Sequence, residues 1–168
     1  MENLDKIKMK IEKGREKLLA LEKEGVYIFH GSPELLEELE PRQPKTYDYN
    51  QKQMIDDGKL SVVATPFVEI AIFRAIINKK VEAEKGKCWS RFSSDNGKLE
   101  FATTSEVLEL AKKVRGYVYV FKKEDFERHN SMEWRSAHKV RPTFIFEVNF
   151  EDLPADIKLE AVPENHHF

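Results

Sequence analysis

The chain has 168 residues, 40% of them apolar and 35% charged, with a formal net charge of −2. That length suits one ordinary domain able to bury a core without disulfides or structural metals, and 11 Phe, 5 Tyr and 2 Trp exclude a disordered chain. The balance of 28 basic against 30 acidic residues argues against a broad nucleic-acid or anionic-membrane surface.

The opening MENLDKIKMK alternates charge and has no apolar core, so it is not a secretory signal. Leu4, Ile7, Ile11, Leu18 and Leu21 recur at three- and four-residue steps and predict an amphipathic helix over 3–24, with Gly14 on the same stripe and Gly25 at the C-terminus. That helix docks on its own domain. The alternative is a short coiled-coil arm for a partner or a second copy, giving a homo-oligomer, and Gly14 weakens it. The chain therefore divides into a helical extension, 1–25, and a domain over 26–168.

After Gly25 the period changes. Residues 26–30 (VYIFH) are β-branched and aromatic and read as a buried strand. Ser32 at an N-cap and Pro33 at N1 predict a short helix through about residue 39, stopped by Pro41. Residues 41–59 lack a period and read as a long loop, of the kind that is functional or mobile. A strand over 60–65 follows; Thr65 caps and Pro66 starts an apolar helix over about 67–84, buried on most sides. Strands over 88–93 and 98–103 are joined through Asp95-Asn96-Gly97, a hairpin signal. A helix over 105–114 capped by Ser105, then strands over 117–121, 132–136, 142–150 and 157–162, complete an α+β fold with largely antiparallel sheets. No apolar run approaches the roughly 20 residues needed to span a bilayer.

The five His show no metal-site spacing, and the lone Cys88 builds neither a zinc cluster nor an internal disulfide, which fits a reducing cytoplasm. No metal site is predicted. Walker-type, GxGxxG and GxSxG motifs are absent. Two features stand out: His30-Gly31-Ser32 at the end of a buried strand, and Glu133 opening another, two residues before Arg135 and so on the same strand face.

Taken in order, the strand ending in His30-Gly31-Ser32, the run LSVVATPFVEIAIF, YVYVF, and MEWRS followed by RPTFIFEV resemble the ADP-ribosyltransferase fold. The branch is the one holding diphtheria toxin, the poly(ADP-ribose) polymerases and the compact rifampin-modifying enzymes. The resemblance spans about residues 26–153. It implies two mostly antiparallel sheets around an NAD cleft, and an NAD-dependent transferase that passes ADP-ribose to an acceptor and releases nicotinamide. It implies that His30 bonds a ribose hydroxyl, that backbone groups of Gly31 pair with the nicotinamide carboxamide, and that Ser32 completes this binding run. Phe73 would stack on the nicotinamide ring. Glu133 would be the catalytic carboxylate, with Asp125 and Glu127 competing for the role. Such a carboxylate stabilises the positive charge that develops on the ribose as the nicotinamide bond breaks. Arg42, Arg74 and Arg135 are candidates for the pyrophosphate.

Two positions depart from the family. Val62 stands where Tyr is usual, and Ile70 where many members carry a carboxamide-binding Ser. Tyr47 or Tyr49, from the long loop, is expected to swing over the pocket and supply the missing ring. The departures leave an alternative: a catalytically degenerate binding or interaction module of the same fold. An RNA-processing phosphotransferase would share the fold and consume NAD, but its Arg-His set has no match here. The acceptor (protein, nucleic acid or small molecule) carries no local motif.

Overall fold

In the computed structural model, which describes residues 10–78, 80–82 and 88–164, the first element is a strand, β1 (Ile11–Lys13). It pairs in parallel with β11 (Phe144–Asn149), Ile11 lying opposite Ile145. The helix expected over 3–24 is therefore corrected at 11–13. The outer edge of β11 needs backbone partners, and tertiary pairing overrides a local helical period. The chain turns at Gly14 into helix α1 (Arg15–Glu24), which closes with Gly25 N–H donating to the Glu22 carbonyl at 3.1 Å. Leu18 of α1 is fully buried in the main core. Residues 11–24 are thus an integral part of the domain rather than an appended arm; Leu4 and Ile7 lie outside the described residues.

Strands β2 (Tyr27–Ser32) and β8 (Arg115–Lys122) complete a four-stranded sheet in the order β1-β11-β8-β2. Along β8, Val118 and Val120 join one apolar cluster while Tyr119 and Phe121 join another, so period-two alternation sends side chains into cores on both faces. The first face is covered by helix α2 (Val68–Ile76), whose backbone lies directly on the sheet. A Cβ on Gly31 would stand 1.9 Å from the Ala71 carbonyl oxygen, and one on Gly116 would stand 2.2 Å from that of Ala75. Those two glycines face Ala71 and Ala75, one helical turn apart, and their missing side chains set the depth of the helix.

Helix α2 ends earlier than the expected 67–84. Asn78 Nδ2 donates to the carbonyls of Arg74 and Ala75, each at 3.2 Å, and Asn78 Oδ1 accepts from Lys80 N and Val81 N at 3.1 and 3.3 Å. One side chain closes the first helix and opens a further turn at 80–82. At the other end, Thr65 Oγ1 accepts from Phe67 N at 3.2 Å and Glu22 of α1 accepts from Val68 N at 2.6 Å.

The helix expected through about residue 39 does not form. Its backbone groups are taken by the fully buried Tyr119, whose hydroxyl donates to the Glu34 carbonyl at 2.6 Å and accepts from Leu36 N at 2.7 Å. Leu39 then bridges Val140. Nor is 41–59 a structureless loop: β3 (Lys45–Asp48) and β4 (Gln53–Asp56) form an antiparallel hairpin, with Asp48 accepting from Asn50 N and Gln51 N in its turn.

Strand β5 (Val62–Ala64) joins β9 (Glu127–Arg128) and β10 (Trp134–Ser136) in the order β5-β10-β9. Strands β6 (Ser90–Asp95) and β7 (Lys98–Thr103) form the hairpin expected at Asp95-Asn96-Gly97, with φ of 51° at Asn96 and 82° at Gly97. Strand β12 (Ile157–Leu159) adds to β7 in parallel. Helix α3 (Ser105–Ala111) lies between β7 and β8. The result is mixed α/β, mostly strands with few helices. It forms four small sheets among the described residues rather than the two expected, because β5-β10-β9 and β3-β4 pair separately. Among those residues no helix is long and apolar enough to cross a membrane.

Candidate functional site

A cleft of about 240 Å³ opens where β2 and β5 part. Its walls include His30 and Ser32 from β2, Leu36 and Leu39 from the strap held by Tyr119, Arg42 and Gln43 at the hairpin base, and Val62 and Val63 from β5. The parting has a local cause. Phe29 and Thr65 exchange backbone hydrogen bonds at 2.7 and 2.8 Å, but the pairing stops at that bridge. Two residues on, the Val63 carbonyl accepts from the His30 ring instead, at 2.6 Å through Nδ1. By strand alternation Gly31 turns its N–H and C=O toward the same open edge that Phe29 uses.

Burial lowers the His30 pKa below the ordinary 6.5; the bond to Val63 opposes that shift, and the charges of Arg42 and Arg74 add to it. A neutral ring that donates from Nδ1 keeps a lone pair on Nε2. Among the described residues Nε2 takes no hydrogen bond and no buried side-chain nitrogen or oxygen lacks a partner, so Nε2 reaches solvent. The imidazole is an acceptor.

Arg74, on the last turn of α2, lies over the Phe92 ring, 4.7 Å from its centroid. Its side chain keeps exposed surface, while crowding around the guanidinium lowers its pKa and the charges of Glu82 and Glu133 oppose that shift. Arg74 is thus felt by both His30 and Glu133. Among the described residues neither Arg42 nor Arg74 has an ion-pair partner.

Glu133 immediately precedes β10. The pairing with β5 sets Trp134 opposite Ala64 and Arg135 opposite Val63 and ends there, and Glu133 is not among the residues that line the cleft. Directly opposed residues share a sheet face, which sets Arg135 on the Val63 face, about two strand spacings (roughly 10 Å) from β2. Arg135 donates to Glu133 Oε2 and to Asp57 Oδ2, both at 2.8 Å, as the shared face predicts for the Glu-Arg pair. Glu127 faces Arg135 from β9 and is exposed, one strand farther from the cleft; Asp125 is exposed in a short 3-10 turn. Single carboxylate or imidazole donors of Asp57, His129 and Glu133 lie within 4.8 Å of one another, but the cation between the two carboxylates is the Arg135 guanidinium.

Other expectations change. Phe73 does not wall the cleft: it is 1% exposed and packs on Phe101 at 5.0 Å and Phe92 at 6.5 Å between ring centroids. The reason is topological. Helix α2 covers the face of the sheet opposite to His30, so its apolar side chains point into the first core. Gly31 is required by the backbone of α2 rather than by the approach of a ligand, and it is not among the residues that line the cleft. Ser32 lines the cleft, and its Oγ accepts from Glu34 N at 3.1 Å without a helix to cap. Tyr47 and Tyr49 sit on and just beyond β3, rings edge-on at 5.0 Å, with Tyr49 84% exposed; neither lines the cleft. Val62 and Ile70 are buried. The sequence reading missed the structural parts of Tyr119 and Asn78, and the only available signal for the first was a polar ring inside an otherwise apolar strand run. Compared with known proteins, the chain matches no family model, no curated protein and no solved structure.

Proposed function

We propose that the chain is an NAD-dependent ADP-ribosyltransferase that passes ADP-ribose to an acceptor and releases nicotinamide, working in a reducing cytoplasm as its lone, buried Cys88 favours. The observation that carries this reading is the edge at His30-Gly31: a neutral imidazole acceptor that lines the cleft and feels the charges of Arg42 and Arg74, next to the backbone donor and acceptor of Gly31. That set complements a carboxamide, a ribose hydroxyl and a diphosphate. Gly31 would hold the carboxamide through its N–H and C=O. His30 Nε2 would accept from a ribose hydroxyl. Arg42 and Arg74 would hold the diphosphate, since Arg135 is already engaged. Glu133 would stabilise positive charge on the ribose carbon, an effect worth about 3 to 4 kcal/mol when such a group is removed. The volume of 240 Å³ is below the ~300–1,000 Å³ of pockets that enclose a drug-sized ligand, so the nicotinamide end would enter and the rest of NAD would lie along the surface.

A second reading has its own support. Phe73 is committed to the core, and Val62 and Ile70 give no ring or hydroxyl, so the aromatic sandwich is missing. On that reading the chain is a degenerate module that binds without turnover.

Calorimetry with NAD and a nicotinamide-release assay separate the two. The transferase binds NAD and releases nicotinamide; Glu133→Gln keeps binding and loses roughly several hundredfold in rate, while His30→Ala and Arg74→Ala lose affinity. Binding with no release by the unsubstituted protein, or no binding at all, removes the transferase and selects the module.

A further inference from the structure

We propose that Arg135 and Asp57 are positioning residues for Glu133, one guanidinium holding its side chain and tying it to the base of the hairpin, beside the cleft residues Gln43 and Pro44. Where the readout is turnover this rests on the transferase reading; where it is structural it does not.

The clasp is complete in its contacts. Arg135 donates to Glu133 Oε2 from Nε at 3.1 Å and from Nη2 at 2.8 Å. It donates to Asp57 Oδ2 from Nη2 and to the Asp57 carbonyl from Nη1, both at 2.8 Å. The Arg135 side chain is 11% exposed, against 35% for each acid, so the cation is the buried member. Burial by itself would lower the Arg135 pKa, but the bonds and charges of Asp57 and Glu133 outweigh that and hold it above its ordinary value.

Both bonds to Glu133 fall on Oε2. Among the described residues Oε1 takes no hydrogen bond, which leaves one oxygen for a reacting partner while the other is held. Two donors on one oxygen hold that oxygen in place, and a carboxylate held in place needs less reorganisation as charge develops. On its other side the clasp reaches the cleft. Asp57 N donates to the Pro44 carbonyl at 2.9 Å, and Gln43 Nε2 donates to the Gly58 carbonyl at 2.9 Å. Gln43 and Pro44 are cleft residues. The cleft wall is thus joined to Glu133 through Asp57 and Arg135 by a continuous chain of hydrogen bonds.

The test is Asp57→Asn in the full chain, which keeps the shape of the side chain and removes its charge, with Arg135→Lys as a second variant that keeps a charge and loses the fork. The Glu133 side-chain carbonyl resonance, in carbon-13 glutamate-labelled protein, is assigned by its loss in Glu133→Gln. It is expected to move in Asp57→Asn while circular dichroism is unchanged. In turnover, kcat is expected to fall about tenfold with KM within about twofold, the split of a positioning defect rather than of lost binding. A resonance that stays put in a folded Asp57→Asn overturns the proposal, as does a moved resonance with wild-type kcat. A moved resonance in a protein that turns over no NAD in any form supports the clasp and removes the transferase reading.

Discussion

His30 is the residue on which the chemistry of the cleft turns, and its behaviour with pH follows from its surroundings. Its folded-state pKa lies below 6.5, so between that value and 6.5 the unfolded chain binds more protons than the folded one. Stability therefore rises with pH through this window and is lost as the solution is acidified below about 6.5. The same protonation removes the Nε2 acceptor and adds a cation beside Arg42 and Arg74. We expect thermal melts between about pH 5.5 and 7.5 (one unit either side of the ordinary imidazole value) to show a positive slope that flattens in His30→Gln. Equal slopes in the two proteins would mean that His30 is not held neutral. Tyr119 acts differently: burial pushes its pKa up to about 12, and it serves as a fixed neutral phenol across the cleft's working range. Tyr119→Phe leaves the Glu34 carbonyl and Leu36 N without their partner and should cost about 1–3 kcal/mol in denaturant unfolding. It should also remove the loss of stability that the wild type shows as pH rises from 10 toward 12.

At the scale of elements, the seating of α2 on the sheet fixes what can reach the cleft. Gly31 and Gly116 admit the helix backbone, and the helix in turn sets Arg74 over the Phe92 ring while burying Phe73 against Phe101 and Phe92. Gly116→Ala would put a methyl group 2.2 Å from the Ala75 carbonyl oxygen, well away from the cleft residues, so the helix must shift outward. We expect a destabilisation of several kcal/mol, of order 3, read as a lower melting temperature; a melt unchanged from wild type would mean that the helix does not sit at this depth. The strap at 33–39 makes the complementary point. A cap-like Ser32-Pro33 start is overridden because Tyr119, from a strand far along the chain, takes the backbone groups first.

Across the whole molecule, strand identity and the hairpin turn at Asn96-Gly97 were legible locally. Alternating or continuous β-branched and aromatic runs give β2, β7, β8 and β11 within a residue or two, because burial of such side chains on a pleated surface is a local pattern. The bond of His30 to the β5 edge, the register that sets Arg135 opposite Val63, and the Arg135 clasp to Asp57 depend on contacts between segments far apart in sequence, for which a single chain carries no local sign. The same holds for β1, whose helical spacing yields to the exposed edge of β11. Residues 33–39 and the hairpin β3–β4 were likewise misread for want of their partners. What the amino-acid order determined by itself is the set of apolar strands, the buried helix and the polar residues at their ends. Which side of the sheet α2 covers, and therefore that Phe73 is core while His30 lines the cleft on the other side, was decided only in the tertiary structure, because a helix can bury its apolar surface against either face and Gly31 and Gly116 leave room for its backbone on one of them.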